Sequence, residues 1–208
     1  MSVAIKFCGM TRESDIELAC ELGVDYLGLI LAESARQLTI ARAVELARFT
    51  RGLRTPARIV VLVRDQPARL VAQAIADVGP DLVQFHGRED DAFCRQFGRP
   101  HWKALGMGGT IDAADMAAAH PSADALVLDS HAPGAGGGSG VRFDWRNWPR
   151  LDRSLVLAGG LTPDNVDEAI AATAPFAVDL CSGIESAPGV KDAQRMRAFV
   201  AAVARIRA

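Results

Sequence analysis

This chain has little of what most specialised protein classes depend on. Aromatic residues make up only 6% of its 208 positions, with a single tyrosine. Its four cysteines, Cys8, Cys20, Cys94 and Cys181, never stand two residues apart, so neither a zinc ribbon nor a redox C-x-x-C pair is encoded. A chain of this length can bury its own core without disulfide staples. No uninterrupted apolar run reaches the ~18 residues that a membrane span needs. The opening MSVAIKF carries one lysine and too short an apolar run for a signal peptide, so the expected compartment is the reducing cytoplasm. Net charge is only -2 and no long basic run occurs, which speaks against nucleic acid or an anionic membrane as partner. The first strand–helix turn, FCGMTRESD, lacks the G-x-G-x-x-G fingerprint of an open dinucleotide-binding sheet.

What is present is alternation. Short apolar runs are followed by Ala-, Arg- and Glu-rich stretches at helical period. Strands are expected at Val3–Phe7, Tyr26–Ile30, Ile59–Val63, Leu82–Phe85, Trp102–Leu105, Ala125–Asp129, Leu155–Ala158 and Ala177–Cys181. Helices are expected at Glu13–Leu22, Ile40–Arg51, Pro67–Val78, Asp91–Phe97, Ile111–Ala119, Trp145–Trp148, Pro163–Ala172 and Asp192–Arg205. Runs such as IVVLV and ALVLD are continuously apolar, as in a parallel sheet buried on both faces. Eight strand–helix units with no linker predict one domain over residues 1–208, an α/β fold closed as a (β/α)₈ TIM barrel with a parallel eight-stranded core.

In such a barrel the reactive groups sit at the C-terminal strand ends and in the loops just after them. Gly159-Gly160 and Ser182-Gly183 fall at two adjacent ends. Glycine lets backbone N–H groups approach an anion, and a short helix from Ser182 through Glu185 would add its N-terminus. These pairs read either as phosphate ligands or as tight turns, and their adjacency favours phosphate. The run Gly134–Gly140 reads as a cover that closes over a site or as a plain connector. Asp129 ends the apolar run DALVLD, where a partly desolvated carboxyl can hold a proton near neutral pH; the bland alternative is a capping or ion-paired aspartate. Cys8 ends strand one. It is either inert filler or a base, if nearby dipoles or cations lower its pKa. Strands one and six lie on opposing sides of the mouth, so the two groups would face each other as an acid/base pair. Gly9 is expected to keep the thiol uncrowded. Arg36 offers a fork for a second anionic end of the substrate, or is a solvated surface arginine. His86 lines the pocket or caps strand four. Cys20 and Cys94 lie in helical patterns and read as inert, and Cys181 as a core or phosphate-loop neighbour.

Together KFCGMTRESD, VQFHGRE, ALVLDS, GGSGVRFDW, LAGGLTPDNV and VDLCSGIESAPGVKD resemble, in order from Lys6 to Phe199, the motifs of the phosphoribosylanthranilate isomerases. The resemblance implies an Amadori rearrangement of a small phosphoribosyl substrate in tryptophan biosynthesis, with no cofactor and no metal. It implies Cys8 as general base, Asp129 as general acid and Arg36 as the partner of the anthranilate carboxylate. Phosphate then falls to Gly159, Gly160, Ser182 and Gly183, and His86 joins the substrate-binding candidates. The expected assembly is a monomer or homodimer. Ala35 stands where proline or lysine is usual, and Cys181 where serine is common. The competing readings are a differently specific phosphosugar barrel, of which the histidine-pathway isomerase has an aspartate in place of Cys8, and a non-catalytic phosphate-ligand binder.

Overall fold

A computed structural model describes residues 3–107, 113–130, 145 and 148–207 of the chain. The glycine run Gly134–Gly140, and residues 146 and 147 of the expected Trp145–Trp148 helix, lie outside the described residues. Eight strands pair in chain order, all parallel: β1 (Ala4–Cys8), β2 (Tyr26–Ile30), β3 (Arg58–Val63), β4 (Leu82–Phe85), β5 (His101–Gly106), β6 (Ala125–Asp129), β7 (Leu155–Ala158) and β8 (Ala177–Leu180). Pairing of β8 with β1 closes the barrel. The helices are α1 (Glu13–Glu21), α2 (Ile40–Gly52), α3 (Ala68–Val78), α4 (Asp91–Arg95), α5 (Ala113–Ala118), α6 (Val166–Thr173) and α7 (Ala193–Arg207).

Both faces of the strands are buried, which is why the apolar runs are continuous. Outward residues such as Ile5, Phe7, Val61 and Phe85 pack under the helices against Ile16, Leu46, Val71 and Phe199. Inward residues Tyr26, Val60, Leu82, Trp102, Val127 and Val156 fill the lower interior. Helix ends follow from local chemistry. Thr39 Oγ1 accepts from Arg42 N at 3.1 Å at the start of α2, and Asp90 Oδ1 from Phe93 N at 2.7 Å at the start of α4. Gly79, with φ of 61°, ends α3 in the left-handed conformation.

Two expectations are corrected. The helix predicted from Pro163 begins at Val166, because Thr162 N donates to Asn165 Oδ1 (2.9 Å) and residues 162–165 form a turn instead. Beyond β8, the helix expected through Glu185 is a 3₁₀ turn over Ser182–Ile184 only. A small antiparallel hairpin follows, β9 (Glu185–Ala187) and β10 (Val190–Lys191), for which such short strands carry no periodic signal.

The lower end of the barrel is clamped by a repeated device. Asp25, Asp81 and Asp124 each precede an even strand. Each accepts through Oδ2 from the backbone N–H of the preceding odd strand: Ile5 at 2.8 Å, Ile59 at 2.7 Å and His101 at 2.7 Å. Each aspartate also returns its own N–H to the same residue's carbonyl. The fourth pair keeps only that backbone bond, from Phe176 N to Leu155 O. Phe176 instead lies edge-on to Trp102, whose ring meets Tyr26 at 4.8 Å, with the Arg58 guanidinium over Tyr26. This end is fastened by carboxylates and plugged by aromatics.

Candidate active site

At the opposite end, one cavity is lined by Cys8, Arg36, His86, Asp129, Gly159, Gly160, Ser182 and Gly183. All eight residues singled out in the sequence therefore converge, because the strand ends of a closed barrel point at one mouth.

Cys8 is the last residue of β1 and is buried against Ile30, Ala32 and Leu62, with Cys181 beside it. Opposite it in register on β2 is Gly28. A Cβ at Gly28 would sit 2.7 Å from Cys8 Sγ, so this glycine makes room for the thiol. Gly9 has a different task from the one expected. Its φ is 72°, and a Cβ there would meet Arg36 Cδ at 2.7 Å and Cys181 Sγ at 2.9 Å. It clears the path for Arg36.

Beneath Cys8, Lys6 and Asp179 are register partners on β1 and β8 and form a buried ion pair, Nζ to Oδ2 at 2.7 Å. Burial pulls the Lys6 ammonium down, but Asp179 and Cys8 outweigh it and hold Lys6 above its ordinary value. Burial pushes the Cys8 thiol up. Among its charged neighbours Lys6 opposes this most, Asp179 reinforces it, and Lys191 opposes it. Lys191, on β10, donates to Cys8 O at 2.6 Å, Cys181 O at 3.0 Å and Glu185 Oε1 at 2.9 Å. The Cys181 thiol is pushed up to about 12, above all by burial, so at neutral pH it stays protonated.

Arg36 reaches into the cavity rather than into solvent. Glu185 holds it with two bonds, from Nε at 2.8 Å and Nη2 at 2.6 Å, and these raise the guanidinium above its ordinary value. Burial works against ionisation of Glu185, but Arg36 and Lys191 overcome it and hold the carboxyl below its usual range. The bidentate grip fixes the plane of the guanidinium.

Across the mouth, Asp129 ends β6 and is buried. Its Oδ2 lies 3.7 Å from His86 Nε2, while His86 Nδ1 is 3.1 Å from Gln84 Nε2. The loop that carries His86 is tied down from outside by Lys103, which donates to Gly87 O at 2.5 Å, and by Glu89, which accepts from Asp65 N and Gly87 N.

The glycine corner is equally constrained. A Cβ on Gly159 (φ 87°) would lie 2.2 Å from Ser130 Oγ, and one on Gly183 would lie 1.9 Å from Leu161 O. Asn165 Nδ2 donates to Gly160 O at 2.9 Å and so fixes the first loop. Among the described residues no group of three or more His, Cys, Asp or Glu side chains could hold a metal ion, and no helix is long and apolar enough to cross a membrane.

Sequence reasoning missed Lys6, Gly28, Asn165, Asp179, Glu185 and Lys191. Lys6 and Asp179 had a visible signal: each is a lone charge inside an apolar strand, KFC and VDL. The arrangement brings a buried thiol, a buried carboxyl, a guanidinium and two glycine loops around one cavity.

Comparison with known proteins gives a consistent picture. The family described as N-(5'-phosphoribosyl)anthranilate (PRA) isomerase matches residues 5–202. The N-(5'-phosphoribosyl)anthranilate isomerase of Stenotrophomonas maltophilia (strain R551-3) is 47% identical over 205 residues, covering 97% of this chain and 93% of that one. The crystal structure of the phosphoribosyl anthranilate isomerase from Thermus thermophilus superposes with a TM-score of 0.84 at 34% identity, over 99% of this chain and 100% of the other. A phosphoribosyl anthranilate isomerase in complex with reduced 1-(O-carboxyphenylamino)-1-deoxyribulose 5-phosphate superposes with a TM-score of 0.79 at 29% identity, over 98% and 99% of the two chains.

Proposed function

The chain belongs to the N-(5'-phosphoribosyl)anthranilate isomerase family, and from that premise we propose how its cavity residues divide the work. The reaction is an intramolecular aldose–ketose isomerisation in tryptophan biosynthesis. It takes N-(5-phosphoribosyl)anthranilate to 1-(2-carboxyphenylamino)-1-deoxyribulose 5-phosphate.

Asp129 is the general acid. It gives its proton to the furanose ring oxygen, the C1–O bond breaks, and the nitrogen lone pair forms a C1=N bond. Cys8, as thiolate, is the general base. It removes the proton from C2, whose bonding electrons form C1=C2 while the C=N electrons return to nitrogen. The resulting enolamine becomes the ketone when its hydroxyl loses a proton and C1 gains one. One acid and one base suffice, because the substrate nitrogen is the electron sink. Arg36, aimed by Glu185, takes the anthranilate carboxylate. Gly159, Gly160, Ser182 and Gly183 take the phosphate on backbone N–H groups. His86 contacts the substrate beside Asp129.

The observation that supports this division most is the placement of a buried thiol and a buried carboxyl on different walls of one cavity that also holds the guanidinium and both glycine loops. The protein acts as one barrel domain over residues 1–208 in the cytoplasm. Among the described residues only Phe176 and Ile206 are large apolar side chains exposed to solvent, which supports a monomer or a homodimer of modest interface. Purified protein given freshly made N-(5-phosphoribosyl)anthranilate will consume its anthranilate-type fluorescence without added metal. Absence of turnover would contradict the function.

A further inference from the structure

The barrel interior is apolar apart from a few groups, and the Lys6–Asp179 pair is the one placed directly beneath Cys8. A buried ion pair is poor evidence for stability, since apolar replacements of similar volume often do as well. Valines occupy neighbouring interior positions without difficulty, at Val60, Val127 and Val156. A charge retained at such a depth therefore calls for a task in the site above it.

The geometry names that task. Lys6 and Cys8 are two residues apart on one strand, so both side chains enter the barrel on the same face. Asp179, in register with Lys6, anchors the ammonium from β8 at 2.7 Å. The groups that face the thiol are Lys6 on its own strand, Asp179 and Cys181 on and after β8, Lys191 on β10, and Arg36 from the loop after β2. β2 and β3 present only Gly28, Ile30 and Leu62. Of the cations, Arg36 is bound twice by Glu185, and Lys191 spends its bonds on Glu185 and on the carbonyl of Cys8 rather than on its sulphur. Lys6 is the cation that stands two residues from Cys8 on the same face of the same strand, and among the charged neighbours it opposes the effect of burial on the thiol most.

We infer that Lys6 is a positioning residue for the reaction: held by Asp179, its ammonium stabilises the Cys8 thiolate that removes the C2 proton. This rests on Cys8 being the base. Lys6 touches no reacting atom of the substrate. It sets how much thiolate is present and where the sulphur points, while Asp179 keeps the ammonium from swinging away and tempers its charge.

The test is the pH dependence of Cys8 alkylation by iodoacetamide in the folded, ligand-free enzyme, read from the mass of the Cys8 peptide. At a fixed pH below the thiol's titration, Lys6→Met will slow alkylation at least ~10-fold, the equivalent of one pKa unit. Asp179→Asn, which removes a negative neighbour and leaves the ammonium, will shift the alkylation curve to lower pH. Lys6→Met will also lower kcat by about the same factor as its alkylation rate. Should Lys6→Met fail to fold because Asp179 is left unpaired, Lys6→Met/Asp179→Asn removes both charges and will still move the curve to higher pH. A folded Lys6 variant with an unchanged alkylation curve would overturn the inference. Full activity of Cys8→Ser would instead overturn the assignment of the base, so the two failures are told apart.

Discussion

The two ends of this barrel use the same residue type for opposite purposes. At the lower end Asp25, Asp81 and Asp124 are spent on backbone N–H groups of neighbouring strands, and an aromatic plug excludes water. At the upper end Asp179 and Glu185 are spent on Lys6, Arg36 and Lys191, side chains in or against the cavity wall, and Asp129 stands by an imidazole. A carboxylate that holds a backbone amide fixes where a strand begins. A carboxylate that holds an ammonium or a guanidinium fixes where a charge points. Stability and chemistry are thereby separated along the barrel axis, as the usual division of labour in parallel barrels leads one to expect.

Variants at each end can break that separation. The largest effect is expected from Asp129→Asn, which keeps the shape but removes the acid: kcat falls by at least ~10²-fold, the lower end for a lost acid–base group, with the thermal midpoint little changed. A collapse of stability with kcat per folded molecule retained would place Asp129 with the structural carboxylates. Next is Gly28→Ala. Its Cβ would press on Cys8 Sγ from 2.7 Å, and a displaced thiol is expected to cost ~10- to 100-fold in kcat, since small misplacements of reacting groups are expensive. Wild-type kcat in that variant would show that the thiol's place is not set by β2. Arg36→Ala is expected to raise KM by roughly 10- to 100-fold, the value of a charge-assisted contact of ~1.5–3 kcal/mol, with kcat less affected. An unchanged KM would remove it from the site. The smallest effect on turnover is expected at the lower end. Asp81→Ala loses the bond to Ile59 N and should cost about 1–3 kcal/mol in urea unfolding while kcat and KM stay at wild type. A kinetic change there would mean that the ends are coupled.

The fold was legible because burial on both faces leaves an unmistakable trace. β2, β4, β6 and β7 begin and end where expected, β3 and β8 differ by a residue at one end, and β1 and β5 by a residue at both. The carboxyl-terminal hairpin was not legible, since strands of three and two residues have no period to read. At the site, Cys8, Asp129, Arg36, His86 and the glycine pairs could be named because strand ends converge and their motifs are similar to those of a known family. Their support could not. Lys6 and Asp179 lie far apart in sequence, and only closure of β8 onto β1 brings them into register. Glu185 reaches Arg36 across the same seam. Gly9 and Gly28 show the limit most clearly: adjacency along the chain suggested that Gly9 frees the thiol, but adjacency across the sheet assigns that space to Gly28. The lower clamps were written openly as an aspartate before every even strand but the last, a pattern visible only once strand parity is known.

The central claim is that Cys8 is the base facing Asp129. Its most direct test is kcat of Cys8→Ser with N-(5-phosphoribosyl)anthranilate at neutral pH, on protein shown to retain the wild-type thermal midpoint. A loss of at least ~10²-fold is expected, because a hydroxyl in the same place does not ionise at that pH. A kcat equal to that of the wild type would contradict it.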